Sequence, residues 1–271
     1  APGSTFKVGT ALEYMRENPM YTDYSYDCAG VIEQDGVSIH CYGGNVHGHV
    51  TFADSLAYSC NTSFCNIGLS LDAERFRETS KEVLFDSKLP SVLPYSQSKF
   101  MLNAASGSGD KMMSAMGQGQ TQVSPYHMAL ITCAIANGGT LMKPYLVDSI
   151  TNHSGQEVEK NLPKEYKNLM TAEEAAQLKQ YMAGVVDYGT ASVLSGQSYT
   201  AAGKTGTAEI KVSKDDRTGT ELGWFAIFTV QKDAQRPILM VSMVEDVKER
   251  GGSGYVVGKQ KQVLDEWFEG N

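Results

Sequence analysis

Long apolar runs are missing from this chain. No stretch of its 271 residues approaches the roughly 20 consecutive apolar positions of a membrane-spanning helix, and it does not start with the basic and apolar segments of a secretory signal. Dense Lys/Arg runs are also missing, and the formal charge is −8. A nucleic-acid partner is thereby excluded, because phosphate binding needs a basic face. Cysteine is sparse and odd in number at five, with no C-x-x-C pair and no His/Cys group at zinc spacing, so neither a metal nor a cofactor is expected. His40, His47, His49, His127 and His153 share no spacing and read as structural or surface residues.

What is present is the composition of a globular domain. With 41% hydrophobic and 20% charged residues, the chain can bury one sizeable core, and one domain over 1–271 is expected. Cys28 and Cys41 flank Glu33-Gln34-Asp35-Gly36, and a four-residue hairpin loop there sets the two cysteines opposite each other. One residue of register slip separates them, so a cross-strand disulfide and two separate buried thiols remain equal alternatives.

Helices are predicted from Ser4 to about Glu17, from Thr51 through Ala57 behind a Thr51/Asp54 cap, beyond Ser59 through Leu71, and from Asp72 through Leu84. Asp86 to Asp110 reads as a long loop. A further helix starts at Ser124-Pro125 and stops at Asn137-Gly138-Gly139. Leu141 to Ile150 is predicted extended, Asn152 to Asn168 is a polar excursion, and a Thr171/Glu174 capping box opens another helix. Ala202 to Lys211, Leu222 to Val230 and Ile238 to Glu245 form strands of an antiparallel meander, joined at Asp215 to Gly219 and at Lys232-Asp233. A last helix, about Tyr255 to Phe268, is expected to cover that sheet with Val256, Val257, Val263, Leu264 and Trp267.

Chemistry first suggests itself at Ala1-Pro2-Gly3-Ser4-Thr5-Phe6-Lys7. Residues three apart on a helix share a face, so the Lys7 amine is expected beside the Ser4 hydroxyl, where a neutral amine can take the proton of a serine nucleophile. Alone this spacing is weak, because a serine N-cap with a solvated lysine produces it by chance. Two more elements follow in order, Ser59-Cys60-Asn61 at a helix-to-helix corner and Lys204-Thr205-Gly206-Thr207 at the start of a strand.

S-x-x-K, an S-D-N element and K-T-G are the signature set of penicillin-binding proteins and class A β-lactamases, and in this chain the middle element is Ser-Cys-Asn. The chain resembles the transpeptidase domain of the class B penicillin-binding proteins, as do Gly117-Gln118-Gly119, Ala136 to Gly139 and Tyr188-Gly189-Thr190-Ala191. The resemblance implies an α+β fold, an antiparallel sheet flanked by helices with a mostly helical subdomain. It implies Ser4 as nucleophile, Lys7 as base, Ser59 as proton relay and Asn61 as positioning group. Lys204 and Thr205 are then expected at a substrate carboxylate, Gly206 where substrate backbone approaches, and the amides of Ser4 and Thr207 around an oxyanion. The function implied is D,D-transpeptidation of peptidoglycan stem peptides ending in D-alanyl-D-alanine, with acylation by β-lactams. The alternatives are a β-lactam sensor, a D,D-carboxypeptidase or a β-lactamase, although no Glu-x-x-Leu-Asn segment suited to class A deacylation occurs between Asn61 and Lys204.

In that family, strands precede the nucleophile, whereas Ser4 is almost the first residue here. The chain therefore reads as a fragment of a longer, membrane-anchored, extracytoplasmic protein with cell-wall synthesis partners, lacking its N-terminal strands. The strand around Leu239 to Val244 is accordingly expected to carry an unpaired edge.

Overall fold

A computed structural model describes residues 1–210, 219–230 and 236–269. A single 3-10 turn, Gly3–Phe6, leads into α1 (Lys7–Glu17). Four short strands follow, β1 (Ser25–Cys28), β2 (Val31–Gln34), β3 (Val37–His40) and β4 (Gly48–Thr51). Next come α2 (Phe52–Ala57), α3 (Asn61–Ser70), α4 (Ala73–Glu82), α5 (Ser108–Ala115) and α6 (Pro125–Ala136). The polar excursion folds as β5 (Thr140–Met142), β6 (Ser149–Thr151), β7 (Glu157–Lys160) and β8 (Glu165–Asn168), which pair as two nested antiparallel ladders. The chain then forms α7 (Ala172–Asp187), the strands β9 (Ala201–Ile210), β10 (Thr220–Thr229) and β11 (Leu239–Val244), and α8 (Ser253–Glu269). No described helix is long and apolar enough to cross a membrane.

The expected meander is present, with strand order β11-β10-β9 and all pairings antiparallel. Apart from Gly219, its two joints and Lys211 fall outside the described residues. Both faces of β10 are covered, which is why Leu222 to Phe228 reads as an unbroken apolar run rather than an alternation. Phe225 and Ile227 pack with Val256, Val257 and Leu264 of α8, whereas Trp224 and Ala226 pack with Met128 of α6. Val263, expected to face the sheet, is instead exposed, because the stripe of α8 runs through Val256, Val257, Gln260 and Leu264. The outer edge of β11 has no partner among the described residues, and its side chains are all half-buried.

Around α1 lies the main core. Phe6 stacks on Phe76 and Phe100 at 5.9 and 5.6 Å and meets Phe85 edge-on at 5.5 Å. Removing a buried phenylalanine of this kind typically costs about 3–5 kcal/mol, so the residues just before α1 are anchored from below.

The hairpin differs from expectation. Val31 pairs with His40 and Gln34 with Val37, which leaves the two-residue turn Asp35-Gly36, both at positive φ. In this register Cys41 N donates to Gly30 O (2.9 Å), and Cys28 belongs to the separate β1–β4 pair opposite Gly48. Cys28 and Cys41 are therefore not cross-strand partners, and all five cysteines are free. The β1–β4 pair, and α5 at the end of the long loop, carry too little pattern in four to eight residues to stand out in the sequence.

Candidate active site

Ser4 sits in a turn held tightly from two sides. Gly3 has φ +55°, and its amide donates to Gly117 O at 2.9 Å. Within the turn, Thr5 Oγ1 donates to Pro2 O at 2.8 Å. Against the turn lies Gly206 of β9, where a Cβ would come within 2.9 Å of both Pro2 O and Thr5 N. The glycine of the K-T-G element thus makes room for the turn that carries Ser4.

Lys7, one helical step below Ser4, is fully buried. Its Nζ donates to Ser59 O (2.7 Å), Asn61 Oδ1 (2.7 Å) and Ser59 Oγ (3.3 Å). No hydrogen bond joins it to Ser4. Burial lowers the ammonium pKa to about 8, against the opposing pull of the nearby Cys60, Cys65 and Cys41 thiols. Ser59 and Asn61 reach the lysine through the corner between α2 and α3. The Thr51/Asp54 capping box starts α2 as predicted, and Ser59 then turns the chain with φ +57°, a left-handed conformation costing a non-glycine residue about 1 kcal/mol or more. The strain is offset by closure of the corner: Cys60 caps α3 by accepting from Ser63 N, and Asn61 Nδ2 donates to His40 O at 3.0 Å.

The third wall is β9, the edge strand beside the turn. Thr205 Oγ1 is 2.6 Å from Thr190 Oγ1, and Thr207 O accepts from Gln118 Nε2 at 3.3 Å. The amide and carbonyl of one strand residue point the same way, so Thr207 N–H also points away from β10 toward the Ser4 side. Lys204 lies elsewhere than expected. It is buried beneath the strand and lines an enclosed apolar cavity with Thr5 and Phe6, and its Nζ donates to Thr205 O at 3.1 Å. Desolvation, joined by the positive charge of Lys7, holds its pKa well below the ordinary lysine value.

Ser4, Ser59, Asn61, Thr205, Gly206 and Thr207 all line one cleft of about 930 Å³, whereas Lys7 and Lys204 lie behind its walls. The cleft also exposes Gln118 and Thr190, to which no role was assigned from the sequence. Their signal was present, in Gly117-Gln118-Gly119 and Tyr188-Gly189-Thr190-Ala191, but the spacing alone does not tell which side chain turns inward. Such an arrangement suits acyl transfer: a hydroxyl, a buried amine of lowered pKa and strand-edge donors surround one space.

Residues 1–265 match the family model of the penicillin-binding protein transpeptidase domain. The chain is 31% identical to penicillin-binding protein 3 of Bacillus subtilis over 97% of its own length and 38% of that protein. It is 25% identical to the peptidoglycan D,D-transpeptidase PbpA of Mycolicibacterium smegmatis, covering 92% of this chain and 50% of that one. The structure of penicillin-binding protein A from Mycobacterium tuberculosis as its penicillin G acyl-enzyme superposes with a TM-score of 0.78 and 26% identity, over 95% of this chain and 59% of that one. The chain thus spans between about a third and a half of the length of the first curated relatives it matches.

Proposed function

The chain belongs to the penicillin-binding protein transpeptidase domain family, and from that membership we propose that it is a serine D,D-transpeptidase of peptidoglycan, with Ser4 as its nucleophile. Ser4 Oγ attacks the carbonyl of the penultimate D-alanine of a stem peptide, and its proton passes to Lys7 in the amine form. The amides of Ser4 and Thr207 receive the oxyanion, each such donor lowering the barrier by about 3 kcal/mol. Lys7 returns the proton through Ser59 to the departing D-alanine nitrogen, the C–N bond breaks, and an ester to Ser4 remains. An acceptor amine then attacks the ester by the reverse route. Thr205 and Thr190 hydroxyls meet the substrate carboxylate, and Lys204 supports Thr205 from beneath the strand by donating to its carbonyl. A β-lactam enters the same path, but its leaving nitrogen stays tethered and the ester persists.

The observation that supports this reading is the triple contact of buried Lys7 with Ser59 and Asn61, on the wall of the cleft that Ser4 lines. Peptidoglycan stem peptides, β-lactams and cell-wall synthesis proteins are the partners that follow, on the outer side of the cytoplasmic membrane. Incubation with penicillin G and peptide mapping by mass spectrometry is expected to place the adduct on the peptide containing Ser4. An adduct on any other residue, or none, overturns the assignment.

A further inference from the structure

Behind the Ser59–Asn61 corner, four side chains from separate segments converge. They are Cys28 at the end of β1, Cys41 just after β3, His47 before β4, and Cys60 at the start of α3, and their ligand atoms all lie within 4.8 Å of one another. We propose that Cys28, Cys41, His47 and Cys60 hold one zinc ion, which clamps the Ser-Cys-Asn element in place.

The distances fit a tetrahedral ion. With Zn–S near 2.3 Å and Zn–N near 2.05 Å, the edges of the tetrahedron are about 3.8 Å between sulfurs and about 3.5 Å between sulfur and nitrogen. Cys28 Sγ lies 3.7 Å from Cys41 Sγ, Cys41 Sγ 3.8 Å from Cys60 Sγ, and Cys28 Sγ 3.4 Å from His47 Nδ1. Three sulfurs and one imidazole are the donor set of a closed structural zinc site, with no position left for water. The surroundings suit thiolates. Thr62 Oγ1 stands 3.2, 3.7 and 3.4 Å from the sulfurs of Cys28, Cys41 and Cys60, and Ser63 N donates to Cys60 Sγ at 3.5 Å. Cys60 also caps the positive end of α3. All three cysteines are buried, and the His47 ring stacks on Tyr58 at 11°. Binding forms three Zn–S bonds and one Zn–N bond and releases three thiol protons to solvent, leaving the group with one net negative charge.

The consequence for the site lies in Cys60. Its neighbours on both sides, Ser59 and Asn61, hold Lys7, and Ser59 does so from a strained backbone. Fixing Cys60 to an ion that also ties β1, the end of β3 and the segment before β4 fixes that corner; Cys41 and His47 line the same cleft as Ser59 and Asn61. This part of the proposal rests on the transpeptidase reading, whereas the ion's presence does not.

Elemental analysis of the chain, purified without chelator, is expected to give about one zinc per chain. Cobalt loading is expected to give the absorption of a tetrahedral thiolate complex. Cys28→Ser and His47→Ala are expected to lower the zinc content at least tenfold at fixed free zinc, and exposed Cys133→Ser to leave it unchanged. A chain that carries no metal and takes up none with every thiol reduced overturns the site, as does a disulfide among Cys28, Cys41 and Cys60 in the native chain. Acylation by fluorescent penicillin is expected to slow at least tenfold in zinc-stripped chain and to recover with added zinc. Unchanged acylation at full zinc loss overturns the clamp. The metal readings do not use acylation, so their failure is distinct from failure of the transpeptidase reading.

Discussion

Two groups of side chains meet back to back at Ser59-Cys60-Asn61. One takes Ser59 and Asn61 together with the buried Lys7, and the other takes Cys60 together with Cys28, Cys41 and His47. Both are built from distant segments, yet only the first is written as motifs. The cleft repeats a local requirement in each segment: a hydroxyl one helical turn from its lysine, two polar residues around a corner, a strand with a glycine between small polar neighbours. The cysteine group has no local requirement beyond one donor per segment, because its geometry is made entirely by the β1–β4 pair, the Asp35-Gly36 hairpin and the cap of α3. A motif records chemistry that the backbone must arrange nearby, and a tertiary cluster records only the ends of loops.

If Cys60 couples the two groups in one direction only, changes around Lys7 and Ser4 should leave the cysteine group standing, whereas loss of the ion should be felt at Lys7. The largest effect is expected from Ser4→Ala, which removes the hydroxyl proposed to form the ester. Penicillin labelling should vanish while the zinc content holds, and labelling equal to the parent would sink the nucleophile assignment. Lys7→Met comes next, with a loss of about 10²–10⁴-fold in acylation rate, the usual contribution of a positioned base. The pH dependence carries the sign of the same argument. Burial lowers Lys7 to about 8, in the company of Lys204 and of the Cys41, Cys60 and Cys65 thiols. The amine form is the base, so acylation should fall about tenfold per pH unit below 8 and level off above it. A rate that instead rises toward pH 6, followed by stopped-flow, would exclude Lys7 in that role.

Gly206→Ala sharpens the comparison on the cleft side alone. A Cβ there would come within 2.9 Å of Pro2 O and Thr5 N, both backbone atoms, so the turn itself must move. A shift of about 1 Å in the nucleophile can cost 10²-fold in rate, and overpacking adds about 1–3 kcal/mol of destabilisation. Acylation kinetics and thermal melting measure the two separately, and full activity would mean that the turn is not held by β9.

How legible the molecule was in its sequence follows the same division. Capping boxes, Pro125 at a helix start and the apolar run of β10 announce themselves because each is a local energetic demand. The placement of Ser4, Ser59, Asn61, Thr205 and Thr207 on one cleft required only that these elements pack in the order expected. The burial of Lys204 was not legible, because alternation puts it on the face opposite Thr205 and Thr207, beneath the strand, and neither was the packing of Pro2 and Thr5 against Gly206. His47 gave no signal at all. Its partners lie in three other segments, and no periodicity links them.

The smallest expected effect tests the cysteine side without removing a ligand. Thr62 Oγ1 touches three sulfurs, and it donates to the Cys28 sulfur at 3.2 Å. Thr62→Val keeps the shape at this buried position and deletes only the hydroxyl. If the sulfurs are thiolates bound to an ion, losing this donor should weaken zinc binding about tenfold, the lower end of what supporting hydrogen bonds contribute. Acylation at saturating zinc should then fall by no more than about twofold, since Ser59 and Asn61 remain tied through Cys60. If the sulfurs are instead ordinary packed thiols, zinc affinity has nothing to lose and the substitution should act on stability alone, by the roughly 1 kcal/mol of a buried hydroxyl bond. Competition for zinc with a chromogenic chelator, set beside a melting curve, separates the two outcomes.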